Sequence, residues 1–356
     1  MNTQADALRS RMRAVAEAPS TVGAGAANAS DASAQSLQAK LARTVAVGSG
    51  KGGVGKSTCA LALAWAAAER GVKTALIDAD LGLANQDILC GVQPVRTAAD
   101  WLSGRAQLSQ CFMRLAPRLW LLPGASGMAR LADLQVPQRE RMIQGLARVS
   151  AHVELMVVDL GAGLGAGTLD VAAAADHLLV IATPEPTSVS DAYGFVKSCA
   201  KRGRTERVML AMNMTYNRSH AELSAARLRA TCARFVGVDV ECVGYVPADD
   251  AVRHAVQQRT PLLSQASRSP AARELRRLEG VVSAQAGVGA LSAPSTAPGF
   301  LTRLARSWGL LLETSTRQHS AAPTGGSSGG FDTPSRGVVR QNSGLLGQCP
   351  RIVPAQ

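Results

Sequence analysis

A doubly covered α/β fold, a mostly parallel central sheet of about 7–8 strands with helices on both faces, is predicted by three features of the chain. Short β-rich apolar runs alternate with helical stretches from Thr44 onward. The runs are apolar nearly throughout, as strands covered on both faces are. The first run leads directly into a glycine loop and the start of a helix, Ser49-Gly50-Lys51-Gly52-Gly53-Val54-Gly55-Lys56-Ser57-Thr58.

In chain order the candidate strands are 45–48, 74–77, 119–122, 155–159, 177–182, 207–212 and 240–246. Helical patterns are read at 59–70, 138–149, 188–199, 222–235, 250–258 and 270–279. Right-handed crossovers bring the strand ends to one sheet edge, where loop residues meet a ligand. Around this domain (41–280) lie segments of different composition. Residues 1–17 form a short helical candidate, and 18–40 are a linker of mostly Ala, Ser, Gly, Thr and Asn, which buries too little to order. A second linker is expected at 281–298, an amphipathic helix at 299–314 and a flexible tail at 315–356.

Of the 356 residues, 46% are hydrophobic and 18% charged, which suits a globular core. The net charge of +12 favours acidic partners such as anionic lipid or nucleic acid. Seven cysteines without a C-x-x-C pair argue for a reducing compartment and against a disulfide framework or local metal site. No apolar stretch approaches the roughly 18 residues of a membrane span, and the charged N-terminus lacks a signal-peptide core. The expected location is therefore cytoplasmic.

Gly50 to Ser57 fits G-x-x-x-x-G-K-[ST] at every position, which makes the expected fold a P-loop NTPase. The glycines let successive backbone N–H groups turn onto a phosphate, and the helix N-terminus adds its positive dipole end. Lys56 is expected to reach the β- and γ-phosphates of ATP, and the Ser57 hydroxyl to ligate Mg²⁺. Gly50, Lys51, Gly52, Gly53, Val54, Gly55, Lys56, Ser57 and Thr58 are the candidate nucleotide-binding loop. Two further strand ends carry carboxylates, in Ile77-Asp78-Ala79-Asp80 and Val158-Asp159-Leu160-Gly161. Aspartates so placed can hold Mg²⁺ directly or through water, and a following glycine lets the loop respond to the γ-phosphate.

The K-G-G-x-G-K-[ST] loop resembles that of the deviant P-loop ATPases, ParA- and MinD-like. More specific are Asp78-Ala79-Asp80-Leu81-Gly82-Leu83-Ala84-Asn85-Gln86-Asp87, Leu122-Pro123-Gly124-Ala125-Ser126-Gly127, Ala182-Thr183-Pro184-Glu185-Pro186-Thr187-Ser188 and Gly244-Tyr245-Val246-Pro247. Together they are similar to the MinD-like flagellar-number regulators, the FlhG (or FleN) family, over about residues 43–278. The resemblance implies an ATPase that dimerises on ATP, with Lys51 crossing to the partner's nucleotide and Asp80 positioning the attacking water. Asp159, with Asp78 and Ser57, then belongs to the Mg²⁺ site, and Asn213 reads the adenine with Pro247 and Asp249 nearby. Leu160 departs from the family, which has a small polar residue there.

The ends fit the same resemblance. Thr3-Gln4-Ala5-Asp6-Ala7-Leu8-Arg9 is similar to the family's D-Q-A-x-x-L-R element, which implies that Gln4, Leu8 and Arg9 activate an FlhF-like GTPase. From 300 to 313, Phe300, Leu301, Leu304, Trp308, Leu311 and Leu312 fall on one helical arc flanked by Arg303 and Arg306. Such a helix can lie in an anionic membrane surface or pack on its own domain; the family's terminal helix implies the membrane, hence peripheral, reversible attachment to the inner face of the cytoplasmic membrane. The expected function is an ATP-driven regulator of flagellar number and placement, with flagellar basal-body or regulatory proteins as further partners. A ParA-type partitioning ATPase on DNA and a MinD-type division-site selector are the alternatives; no Lys/Arg run precedes the loop to favour DNA. An iron–sulfur carrier is disfavoured by the cysteine spacing.

Overall fold

The first apolar run forms β1 (Arg43–Gly48), which lies inside an eight-stranded sheet. The computed structural model describes residues 41–80, 82, 84–124, 131–203, 208–265, 268–289 and 298–310. The expected N-terminal helix with Gln4, Leu8 and Arg9, both the 18–40 segment and the 315–356 tail, and Leu311 and Leu312 lie outside the described residues.

The other strands are β2 (Thr74–Asp78), β3 (Met113–Ala116), β4 (Leu119–Leu122), β5 (Leu155–Asp159), β6 (His177–Ala182), β7 (Val208–Thr215) and β8 (Val240–Pro247). Their order is β3-β4-β2-β5-β1-β6-β7-β8. Every neighbouring pair is parallel except β3 with β4. β3 has no counterpart among the expected strands. It is four residues long, only partly buried, and reverses into β4 through Arg118 at φ 65°. Such a short edge strand lacks a readable apolar run.

The helices are α1 (Lys56–Glu69), α2 (Gln86–Cys90), α3 (Ala98–Leu102), α4 (Leu108–Cys111), α5 (Val136–Ser150), α6 (Ala166–Ala174), α7 (Pro186–Ala200), α8 (Arg218–Phe235), α9 (Asp250–Gln257), α10 (Leu262–Gln265), α11 (Pro270–Ala286) and α12 (Phe300–Ser307). Period-2 alternation splits the sheet's side chains between two cores. Val45, Val47, Leu76 and Val157 pack beneath α1 and α11. Ala46, Ile77, Met156 and Val158 pack on the other side, with α5 to α8. α11 runs past the expected end at 279 because Leu275, Leu278, Val282 and Ala286 continue one buried stripe, and Gly287 at φ 64° then stops it. Residues 281–286, expected as the start of a linker, are therefore helix.

In this structure α12 turns most of the arc expected to face lipid onto the domain itself. Phe300, Leu304 and Trp308, three of the side chains assigned to lipid, are buried in the domain's own core, and Leu301 is partly buried against it. The helix packs on α5 and α6. Arg303 donates to Asp176 Oδ1 at 2.7 Å and to the Ala174 carbonyl at 2.8 Å, while Arg139 lies over the Trp308 ring. The other Asp176 oxygen accepts the Thr44 N–H at 2.9 Å, so one carboxylate fastens α12 to the start of β1. An apolar stripe with flanking arginines suits lipid and protein equally, and here an acidic residue at the end of α6 provides the arginine's partner. Leu304→Ala, at a fully buried position, is expected to weaken docking by about 2–5 kcal/mol. Hydrogen exchange should quicken over 300–310 and stay unchanged in β1 and β5; equal quickening in those strands would contradict a separately docked helix.

Candidate functional site

The C-terminal ends of β1, β2, β5, β7 and β8 open onto one cleft of about 790 Å³. Its floor is the glycine loop between β1 and α1. Gly55 shows why that loop is glycine: its φ is 83°, and an added Cβ would stand 2.3 Å from Asn213 Nδ2. The Asn213 amide instead donates to the Val54 carbonyl at 2.8 Å, tying the end of β7 to the loop. Gly50 is just as confined, because a Cβ there would meet the Asp191 carbonyl of α7 at 2.0 Å. One turn on, the Phe195 ring occupies the space where a Gly48 Cβ would be, 2.7 Å away. Gly52 and Gly53 are exposed, Val54 is buried, and Ser57 and Thr58 are half-buried at the first turn of α1.

Behind the loop is a buried charge cluster. Lys56 Nζ donates to Asp159 Oδ1 at 2.6 Å and to Ser57 Oγ at 3.2 Å, with Lys56 only 7% and Asp159 0% exposed. Asp78 is the direct register partner of Asp159 across β2 and β5 and is equally buried. Burial and the neighbouring Asp159 carboxylate push its pKa from an ordinary 3.8 up to about 7, against the lowering effect of N–H donors from Gln86, Asp80 and Asn85. Of the two adjacent carboxylates, Asp159 carries the ion pair with Lys56, and Asp78 is held by backbone N–H donors. Sequence alone placed both aspartates at the site; their pairing comes from the β2–β5 register.

Gln86, the first residue of α2, was quoted only as part of a motif. It is 0% exposed, and its Nε2 donates to Asp159 Oδ2 at 2.8 Å and to the Ser57 carbonyl at 2.9 Å. Its backbone N–H donates to Asp78 Oδ2 at 3.1 Å. A polar residue at the start of a short helix was the sole sequence signal. The Asp80 carboxylate lies over Gly161, about 3.4 Å from where a Cβ would be, and lines the cleft. Leu160 faces the opposite side of β5, fully buried, with its Cδ1 3.4 Å from the Cβ position of Gly48. The apolar residue after Asp159 is therefore core packing and takes nothing from the cleft.

Lys51 sits at the cleft mouth, folded onto its own chain. Its Nζ is 3.4 Å from Glu185 Oε2 and 3.2 Å from Thr187 Oγ1, both at the start of α7. With 42% and 66% of the two charged side chains exposed, such a pair holds by about 1 kcal/mol or less and parts readily. Pro247 and Asp249 also line the cleft. Asp249, however, is a helix cap: Oδ1 accepts the Ala251 N–H at 2.9 Å and Oδ2 the Ala271 N–H at 3.0 Å, joining α9 to α11. Burial would raise its pKa, but these two N–H donors together with the Ser269 side chain outweigh it and the net shift is downward.

Against known proteins, residues 45–262 match the family described as the CobQ/CobB/MinD/ParA nucleotide binding domain. The chain is 35% identical over 229 residues to the antiactivator FleN of Pseudomonas aeruginosa, covering 64% of this chain and 82% of that protein. It is 28% identical over 251 residues to the flagellum site-determining protein YlxH of Helicobacter pylori, covering 70% and 85%. Among solved structures it resembles the cell division ATPase MinD of Pyrococcus furiosus, with a TM-score of 0.58 at 22% identity over 69% of this chain and all (100%) of that one. The septum site-determining protein MinD of Pyrococcus horikoshii, solved with Mg-ADP, gives a TM-score of 0.58 at 23% identity, covering 70% and 98%. With a phosphate loop, an eight-stranded sheet in this order and a family match over most of the ordered domain, the chain belongs to the CobQ/CobB/MinD/ParA nucleotide-binding family.

Proposed function

We propose that this chain is a MinD-like ATPase switch that regulates flagellar number and placement. The observation that carries the reading is the buried Lys56–Asp159–Asp78 cluster behind a phosphate loop, which forms the floor of a cleft within the usual 300–1,000 Å³ of a small-molecule site. The donor set fits ATP with Mg²⁺. Two buried carboxylates with a single lysine leave an acidic surplus, and the buried Gln86 Oε1 and Asn85 Oδ1 have no hydrogen-bond partner among the described residues. No group of three or more His, Cys, Asp or Glu gathers among the described residues, so a cation is held jointly with Ser57 and phosphate oxygens. Bound ATP with Mg²⁺ supplies the transferable phosphoryl group. Lys56 leaves Asp159 for the phosphates, the loop N–H groups and Thr58 steady them, and Asp78, Asp159 and Ser57 hold the cation directly or through water. Asp80 orients the attacking water, and Asn213 and Pro247 border the base.

YlxH, named a flagellum site-determining protein, supports the flagellar reading, and FleN, named an antiactivator, supports a regulatory role. Dimerisation is proposed from Lys51, which exchanges its weak intrachain partners for the second subunit's nucleotide. Undocking of α12 exposes Phe300, Leu304 and Trp308, with Leu301, Leu311 and Leu312, to anionic lipid on the inner face of the cytoplasmic membrane. Residues 1–17, with Gln4, Leu8 and Arg9, are assigned to an FlhF-like GTPase.

The test is gel filtration of Asp80→Ala with ATP, followed by pelleting with anionic vesicles. This variant is expected to elute as a dimer, to pellet only with ATP, and to hydrolyse at least about 100-fold more slowly than wild type. Full-rate hydrolysis sinks the Asp80 assignment, a monomer with ATP sinks the dimer, and equal pelleting after deletion of residues 300–312 sinks the membrane helix. Salt-sensitive binding to arbitrary DNA in place of vesicles would favour a partitioning role.

A further inference from the structure

Gln86 carries an arrangement that the lysine, the aspartates and the loop do not account for. Its backbone N–H holds Asp78, and its side-chain amide holds Asp159 and the Ser57 carbonyl. One residue thus contacts both buried carboxylates and the first turn of α1. The orientation of the amide follows from the network: turned over, its oxygen would face the Asp159 carboxylate and the Ser57 carbonyl, two acceptors. As placed, Oε1 is buried and has no partner among the described residues.

We infer that Gln86 is a positioning residue for the metal-bound state, keeping the Asp159 carboxylate in place once Lys56 has moved to the phosphates. This rests on the proposed ATP and Mg²⁺ site. With Lys56 gone, the Gln86 amide is the side-chain donor left to Asp159 among the described residues, on the oxygen that Lys56 does not use. A carboxylate held by a fixed amide presents its other oxygen to a cation or to a water on that cation without reorienting. The unpartnered Oε1 adds an acceptor beside the same carboxylate, suited to the O–H of such a water and unsuited to a phosphate oxygen, which has no proton to give. Gln86 acts through Asp159 and does not itself touch the reacting atoms.

The test uses the full chain and a fluorescent ATP analogue, titrated in EDTA and then with rising Mg²⁺. Gln86→Met keeps the length of the side chain and removes both the donor and the acceptor of the amide. It is expected to leave affinity in EDTA within about twofold of wild type and the melting temperature close to it, while the Mg²⁺ concentration for half-maximal tightening rises about tenfold. In an Asp159→Asn background the same substitution is expected to shift the midpoint by about twofold at most, since the carboxylate it chiefly acts through is already altered. An unchanged Mg²⁺ midpoint overturns the inference, as does loss of affinity in EDTA equal to that in Mg²⁺, which would mark a general packing role. Should Gln86→Met fail to fold, Gln86→Asn, with its amide one methylene short, takes the same titration; a raised midpoint is expected and the wild-type midpoint overturns the proposal. Absence of analogue binding by the wild-type protein would overturn the nucleotide reading itself, an outcome distinct from all of these.

Discussion

Lys56→Ala is expected to abolish nucleotide binding and to destabilise the protein even without nucleotide. The first effect follows from the lysine's place in the phosphate loop; a loss of about 100-fold or more in affinity is expected. The second follows from what it leaves behind. Asp159 and Asp78 are 0% and 1% exposed and adjacent in register, and removing one partner of a buried pair costs about 3–5 kcal/mol because the remaining charge is stranded. Urea unfolding checks this without ligand. The double variant Lys56→Met/Asp159→Asn, which removes both charges, is expected to recover most of the stability and none of the binding. If Lys56→Ala alone is as stable as wild type, the lysine does not neutralise the cluster.

Asp78→Asn is expected to act in the opposite direction on stability. With a folded pKa of about 7 against an ordinary 3.8, the folded state binds more protons than the unfolded chain between those values. Stability therefore falls as pH rises through that window, and the penalty is complete above about 7. The variant lacks the titrating group, so at pH 8 it should be more stable than wild type by roughly 1–3 kcal/mol, after allowing for one N–H donor that loses its acceptor. The gap should narrow steadily as the pH is lowered toward 5. Urea melts at pH 8 and pH 5 measure both; a variant less stable at pH 8 would show that the three N–H bonds outweigh the carboxylate repulsion. The two variants together separate the lysine that offsets the surplus charge from the aspartate that creates it.

Much of the site was legible because its residues sit where local pattern is strongest. Ser49 to Thr58 combine fixed spacing with a strand before and a helix after, and Asp78 and Asp159 each end an apolar run. Gln86 was not legible as a site residue, since its importance depends on β2 and β5 being neighbours, which no local pattern encodes. β3 was missed because a four-residue edge strand has too little burial to leave a period. The fate of α12 was undetermined for a different reason: the stripe of Phe300, Leu304 and Trp308 says that something apolar must cover it, and only the position of Asp176 beside Arg303 shows what does in this structure. Leu160 illustrates the converse, an oddity in the chain that the alternation of β5 turns into ordinary core.

The contact between the glycine loop and α7 leaves no slack. The carbonyl of Asp191 and the ring of Phe195, one helical turn apart, occupy the space that methyl groups on Gly50 and Gly48 would need. Two parts separated by less than an atom's width behave as one mechanical piece, because neither can advance toward the other without moving it. A shift of Gly50 toward the helix therefore runs at once into α7, whose start carries the Glu185 and Thr187 that hold Lys51. The loop and its lysine anchor are geared together by the absence of two side chains.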